Sequence, residues 1–192
     1  MSTDRQLAVR FAILASIFVG LLAYFVVPAR AIDGVATASV QTPSSVAPVF
    51  SGEPCQVHPE FPEAVYQWCE LITRVATSHG LDPDLIAALI LQESGGDPTA
   101  YSKSGAVGLM QVMPRDGLAA SFNCPNGPCF AKRPTIRELE EPVFNIEYGT
   151  QMLAGLISRE GDVRDALKYY GPIDMGYRYA DKVLAIWTRY NG

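Results

Sequence analysis

The chain has 192 residues, of which 48% are hydrophobic and 18% charged, a balance that excludes an intrinsically disordered polypeptide and fits one globular domain with extensions. Its formal net charge of −5, without a concentrated run of Lys or Arg, excludes nucleic acid as a partner, because polyanion binding needs a clustered basic surface. A neutral or zwitterionic substrate is compatible with it.

Arg5 and Arg10 precede the apolar run FAILASIFVGLLAYFVV, residues 11–27, and PARA follows at 28–31. The run sits at the lower limit of the roughly 17 to 25 residues that span a bilayer and exceeds the roughly 7 to 15 of a signal-peptide core. Ala29-Arg30-Ala31 offers a small-x-small cleavage pattern. Residues 1–31 therefore read either as a signal peptide or as an N-terminal membrane anchor through 11–27. In both cases the leading positive charge keeps the N-terminus inside and sends the rest out. The expected location is the periplasm or cell envelope, secreted or held at the inner membrane. Residues 32–54, rich in Ala, Val, Ser, Thr and Pro, show no sustained period and read as a flexible linker. Residues 55–192 remain as a single domain with a core of its own.

Cys55, Cys69, Cys124 and Cys129 form an even set, which in an exported chain points to two disulfides. Cys124 with Cys129 would close the turn CPNGPC, and Cys55 with Cys69 would tie the start of the domain to its first helix. A metal site from Cys55, His58, Cys69 and His79 is the sharper alternative, but its spacings match no usual ligand pattern.

Helical periodicity dominates the domain and no run alternates as a strand does, so the expected fold class is mainly α with little or no sheet. FPEAVYQWCELITRVATSHG (61–80) puts Val65, Trp68, Cys69, Ile72, Val75 and Ala76 on one face of an amphipathic helix. LDPDLIAALILQESGG (81–96) follows, with Asp82 as N-cap, Pro83 at the first helical position and a glycine pair at the end. Its apolar residues surround most of the circumference, which makes it the central, buried helix. SGAVGLMQVMP (104–114) suggests one or two helical turns stopped by Pro114, and an irregular cysteine-bearing stretch runs to about Pro134. Helices are then predicted over 141–161, with Ile146, Gly149, Leu153 and Leu156 along one side, over 162–171 from the cap Asp162, and over the final segment from Gly176, with Tyr179, Val183, Ile186, Trp187 and Tyr190 in period.

Within LILQESGG (89–96) the buried helix pattern ends in one carboxylate, Glu93. It shares a face with Ile86, Leu89 and Ile90 and lies in the last turn, where the helix dipole disfavours an anion. Desolvation and negative potential both favour the protonated form, which makes a proton donor near neutral pH. Cleavage of a glycosidic bond needs such a donor, since a sugar oxygen leaves poorly unprotonated. Taken alone, a helix-end glutamate is more simply a solvated side chain.

The surrounding blocks change that balance. ALILQESGGDPTAYSKSGAVGLMQVMP (88–114) resembles the Glu-Ser and Gly-Leu-Met-Gln signature of the soluble lytic transglycosylase family, whose catalytic domains have a lysozyme-like fold. NIEYGTQML (145–153), ALKYYGP (166–172) and YADKVL (179–184) continue the resemblance in order, over roughly residues 64 to 184. It implies that Glu93 is the single catalytic acid/base. Substrate-binding positions would be Ser102, Met110 and Gln111 near it, with Tyr169 and Tyr179 as aromatic neighbours of the carboxylate and sugar. Met110 and the tyrosines are equally suited to core packing, while a buried Gln111 amide needs partners that a sugar can provide. The sequence departs from the family pattern at YYGP (169–172), which puts Tyr170 where Asn is expected.

The resemblance also implies a substrate and a reaction, with no cofactor and no metal. The substrate would be the glycan strand of peptidoglycan, cut at the β-1,4 bond between N-acetylmuramic acid and N-acetylglucosamine with closure of a 1,6-anhydro ring. The resemblance assigns no second catalytic acid in these blocks, and Asp97 in GGDP reads as turn chemistry. Two alternatives stay open: a lysozyme-type hydrolase using water, and a non-catalytic wall-binding or scaffold protein of the same fold. So do wall recycling and partnership with a secretion or conjugation machine.

Overall fold

The computed structural model describes residues 54–191. The expected leader, its apolar run at 11–27 and nearly all of the linker lie outside them. Among the described residues no helix is long and apolar enough to cross a membrane. The helices in chain order are α1 (Glu63–Tyr66), α2 (Cys69–Ser78), α3 (Pro83–Ser94), α4 (Ile136–Leu139), α5 (Pro142–Glu160), α6 (Val163–Tyr170) and α7 (Tyr177–Tyr190). The only strands among the described residues, β1 (Asn123–Cys124) and β2 (Gly127–Pro128), form a short antiparallel hairpin at the cysteine turn. The domain is mainly α, as its periodicity dictates.

α3 is the central element because nothing on it is polar between Asp84 in its first turn and Gln92 in its last. Ile86, Ala87, Ala88, Leu89 and Ile90 are fully enclosed, and α1, α2 and α7 pack around them. Burial of each large aliphatic contributes about 1.5–3 kcal/mol. The Asp82 side chain caps the helix by accepting from the Asp84 amide at 2.8 Å, Pro83 fits the first turn, and Gly95 ends it in the left-handed conformation. Asp82 also accepts from the Trp187 indole at 3.2 Å and the Asn191 amide at 3.0 Å, which joins the end of α7 to the start of α3. At the same pole Asp84 accepts from the His58 amide at 2.7 Å, and Phe61 stacks on Tyr190.

The expected single helix over 61–80 is two helices. At Trp68 the amide bonds the Val65 carbonyl in a tightened turn, and the indole donates to the Gly96 carbonyl at 3.2 Å. Cys69, next in sequence, is bridged to Cys55. These two anchors turn the chain between α1 and α2. The second disulfide joins Cys124 and Cys129, so both cysteine pairings follow the spacing argument. His58 and His79 join no group able to hold a metal among the described residues.

SGAVGLMQVMP, expected as helical turns, is an irregular loop. Gly105 and Gly108 have φ of 91° and 76°, and even Gln111 sits at 46°, values a right-handed helix does not allow. Local apolar spacing is overridden here by one long-range contact. Asn145 of α5, fully buried, donates from Nδ2 to the carbonyls of Val107 and Leu139, each at 2.9 Å, and accepts from the Met110 amide at 2.8 Å. A Cβ at Gly108 would lie 2.3 Å from that Nδ2, so only glycine lets the amide reach.

α4 was not anticipated, although Thr135 and Glu138 form a complete capping box at its start. The Asn145→Ala variant is expected to lose on the order of 2 kcal/mol or more, since the Met110 amide and the Leu139 carbonyl lose their partner at about 1–3 kcal/mol each, while the Val107 carbonyl keeps the Val112 amide at 3.1 Å. Urea unfolding checks this, with a midpoint unchanged from wild type counting against it.

Candidate active site

Glu93 occupies the last turn of α3, and its environment is set by the burial of the helix that carries it. Desolvation raises its carboxyl from the ordinary 4.5 to about 7, while the hydrogen bond from Tyr179 pulls in the opposite direction. The Tyr179 hydroxyl donates to Glu93 Oε1. Tyr179 itself is 3% exposed, and burial together with the adjacent carboxylate pushes its phenol far up, so it stays a neutral donor. Its ring is seated against Gly171, where a Cβ would lie 2.3 Å from the ring carbons.

The neighbouring serine fixes the end of the helix. Ser94 Oγ donates to the Leu109 carbonyl at 2.8 Å and accepts from the Gly96 amide at 3.1 Å. Gly96 is pressed on α1, where a Cβ would lie 2.2 Å from the Ala64 carbonyl oxygen. The Glu-Ser pair thus has a divided chemistry: one side chain is the acid and the next ties its helix to the Gly108–Val112 loop.

Met110 is fully enclosed. Its sulfur takes a 3.7 Å contact from the Thr150 hydroxyl, and its side chain fills the space left by Gly149. The expectation that its side chain lines an open cleft is corrected, since thioether packing against a glycine leaves no face free. Its backbone carbonyl serves the site by accepting from the Tyr170 hydroxyl at 2.9 Å. Gln111 is half-buried and directs its amide nitrogen to the carbonyls of Ala100 and Gly108, both at 3.0 Å. Its donor hydrogens are thereby used within the protein, which leaves the amide oxygen as its free capacity. Ser102 Oγ accepts from the Ala106 amide at 2.9 Å and closes the turn that leads into the loop.

Tyr169 does not join these groups. Its ring is 54% exposed on the outer side of α6, with Lys168 and Arg159 over it. The tyrosine that turns inward is Tyr170, whose phenol is pushed well up by burial and by the Glu93 carboxylate, while Arg133 opposes the shift. The helical period carries the signal for this: Tyr170 lies three residues after Leu167 and four after Ala166, both buried, and Tyr169 falls off that face. The site therefore assembles Glu93, Tyr179 and Tyr170 beside the Met110–Gln111 backbone. Asp97, the nearest acid in sequence, is exposed and committed to Thr99.

A raised carboxyl implies a stability cost that depends on pH. Below about 4.5 both folded and unfolded Glu93 are protonated and no cost exists; as pH rises to about 7 the unfolded state gains by ionising first. Glu93→Gln is accordingly expected to be as stable as wild type at pH 4 and more stable above pH 7, by up to roughly 3 kcal/mol at about 1.4 kcal/mol per pH unit. Denaturant unfolding at the two pH values checks it, and an equal difference at both would refute the buried acid.

Residues 70–176 match the family model of the transglycosylase SLT domain. The endo-type membrane-bound lytic murein transglycosylase A of Klebsiella pneumoniae is 37% identical over 98 residues, 50% of this chain and 47% of the relative. The membrane-bound lytic murein transglycosylase E of Buchnera aphidicola is 34% identical over 104 residues, covering 53% and 46%. The transglycosylase of Enterobacteria phage PRD1 is 35% identical over 104 residues, covering 54% and 34%. The chain thus spans about half the length or less of these curated relatives. Among solved structures, an inactive mutant of the lytic transglycosylase Slt from Pseudomonas aeruginosa aligns with a TM-score of 0.49 and 23% identity over 64% of this chain and 23% of that one. With more than half of its length matched by the family model, the chain belongs to the transglycosylase SLT domain family.

Proposed function

We propose that the protein is an exported peptidoglycan lytic transglycosylase, and the observation that carries this reading is the desolvated carboxyl of Glu93 held by Tyr179. At neutral pH a substantial fraction of Glu93 is protonated. Because the Tyr179 hydroxyl donates to Oε1, the proton resides on Oε2, which is the oxygen left to protonate the glycosidic oxygen between N-acetylmuramic acid and N-acetylglucosamine. The muramyl acetamido group stabilises the cation that forms as the bond breaks. Glu93, now ionised, accepts the proton of the muramyl C6 hydroxyl as that oxygen closes on C1, and the enzyme returns to its starting protonation state without consuming water.

Only one acid is needed in this sequence of steps, which agrees with Asp97 being engaged by Thr99. The names of the relatives, lytic murein transglycosylases described as membrane-bound, support a murein substrate and a cell-envelope location. The basic and apolar leader of residues 5–27 supports export. Residues 1–31 act in this reading as signal or anchor, 32–54 as a tether and 55–192 as the catalytic domain.

Digestion of intact peptidoglycan is expected to release muropeptides ending in 1,6-anhydro-N-acetylmuramic acid, read by mass spectrometry. Products heavier by one water would instead identify a lysozyme-type hydrolase. Glu93→Gln should lower the rate by roughly 100-fold or more; wall lysis undiminished in this variant would leave a wall-binding scaffold as the better reading. Tyr179→Phe removes the bond that lowers the Glu93 pKa, so the alkaline limb of the pH-rate profile is expected to move upward from its wild-type position near 7. A limb that moves downward, with the fold intact by circular dichroism, would contradict the assigned donor.

A further inference from the structure

Two arginines among the described residues are half-buried, Arg74 and Arg133. Arg74 is paired with Glu147 at 3.2 Å. Arg133 forms no ion pair among the described residues, and the one side-chain acceptor its guanidinium meets there is the Met152 thioether on α5, a weak acceptor. A guanidinium with no carboxylate beside it keeps most of its five donors for an anion.

Its placement is fixed from the backbone side. The Arg133 amide bonds the Phe130 carbonyl at 2.9 Å, and the segment is closed at its base where the Arg115 amide meets the Pro134 carbonyl at 2.9 Å and the Arg115 guanidinium meets the Arg133 carbonyl at 3.3 Å. Farther out, the Cys124–Cys129 bridge and the edge contact of Phe122 with Phe130 hold the same segment together. The side chain meets α5 at Met152, three residues on from Gly149, against which Met110 packs, and its charge opposes the upward shift that burial and Glu93 impose on the Tyr170 phenol. Tyr170, whose hydroxyl bonds the Met110 carbonyl at 2.9 Å, thus feels both the proposed acid and an arginine that forms no ion pair among the described residues.

We infer that Arg133, presented by the disulfide-closed segment between Arg115 and Pro134, is a specificity-determining residue that binds a carboxylate carried by the muramyl substituent of the glycan. This deepens the proposed function and rests on it. Among the sugars of that strand only the muramyl residue bears an acid-containing substituent at O3. Its carboxylate is supplied either by the free lactyl group of a strand without peptide or by the peptide attached there. A planar guanidinium suits such a group, since two parallel N–H donors match its two oxygens. Binding it beside Glu93 would set which sugar ring stands next to the acid, and so which of the two alternating glycosidic bonds is cut.

The test compares wild type, Arg133→Met and Arg133→Lys on three probes: peptide-bearing strands, amidase-stripped strands with free lactyl groups, and peptide-bearing strands whose carboxylates have been converted to amides. Arg133→Met is expected to lose about 10- to 100-fold in kcat/KM, mainly through KM, on a carboxylate-bearing probe, and no more than about twofold on the amidated strands. Arg133→Lys should recover part of the loss. A loss confined to peptide-bearing strands identifies the peptide carboxylate, one on stripped strands identifies the lactyl group, and either supports the inference. Equal losses on charged and amidated strands, or none on any, would overturn it. Strand binding is measured in parallel on Glu93→Gln with and without Arg133→Met. Discrimination kept in binding while wild type leaves every strand uncut would sink the proposed reaction and spare the carboxylate site; cutting without discrimination would do the reverse.

Discussion

A single buried carboxamide, that of Asn145, decides where the rest of the site can be. Its three hydrogen bonds take up the Met110 amide and the carbonyls of Val107 and Leu139, of which Val107 alone is also bonded within the loop, to the Val112 amide. An unpaired backbone group in that position would cost about 1–3 kcal/mol, so the loop has little freedom to leave. Everything next to it inherits the constraint: Leu109 receives Ser94, and Met110 receives Tyr170 through its carbonyl and packs on Gly149 through its side chain. The glycines of this region are explained by the same contact, because Gly108 and Gly149 are the places where a Cβ would collide with Asn145 and Met110.

Against that fixed loop, Glu93 is a cost accepted by a stable helix. The residues that make α3 the centre of the core are those that take the carboxyl out of water, so the same apolar surface that stabilises the fold raises the pKa of Glu93. Tyr179 moderates this by offering the carboxylate a neutral hydroxyl. Stability and proton affinity are thus coupled through one set of side chains, and a substitution that loosens the packing of Ile86 or Leu89 would alter both.

Much of this was legible in the amino-acid sequence wherever the determinant is local. Asp82 and Pro83 before α3, Gly95 after it, Asp162 before α6 and Gly161 after α5 mark helix ends through capping chemistry that does not depend on tertiary contacts. The two disulfides join the favoured pairs, although four cysteines alone leave the pairing open. The failures share a cause, namely partners distant in the chain. The apolar spacing of 104–114 is compatible with a helix until Asn145 claims its backbone, and the break at Trp68 depends on Gly96. Met110 is enclosed because of Gly149. Tyr169 and Tyr170 differ by one residue in sequence and by a whole face in the helix, which the burial of Leu167 settles. α4 is the exception, because its capping box of Thr135 and Glu138 is a local signal carried by the sequence itself.

The pairing of the two ends of the described segment has a mechanical consequence. His58 and Phe61 meet Asp84 and Tyr190, and Asn191 meets Asp82, all at the start of α3. Glu93 is at its far end, about 13 Å away along the axis at 1.5 Å per residue. Chain entering or leaving the domain is therefore gripped at the heel, and the acid is carried at the toe. The contacts that fasten the two ends of the described segment therefore lie apart from those that set the carboxyl.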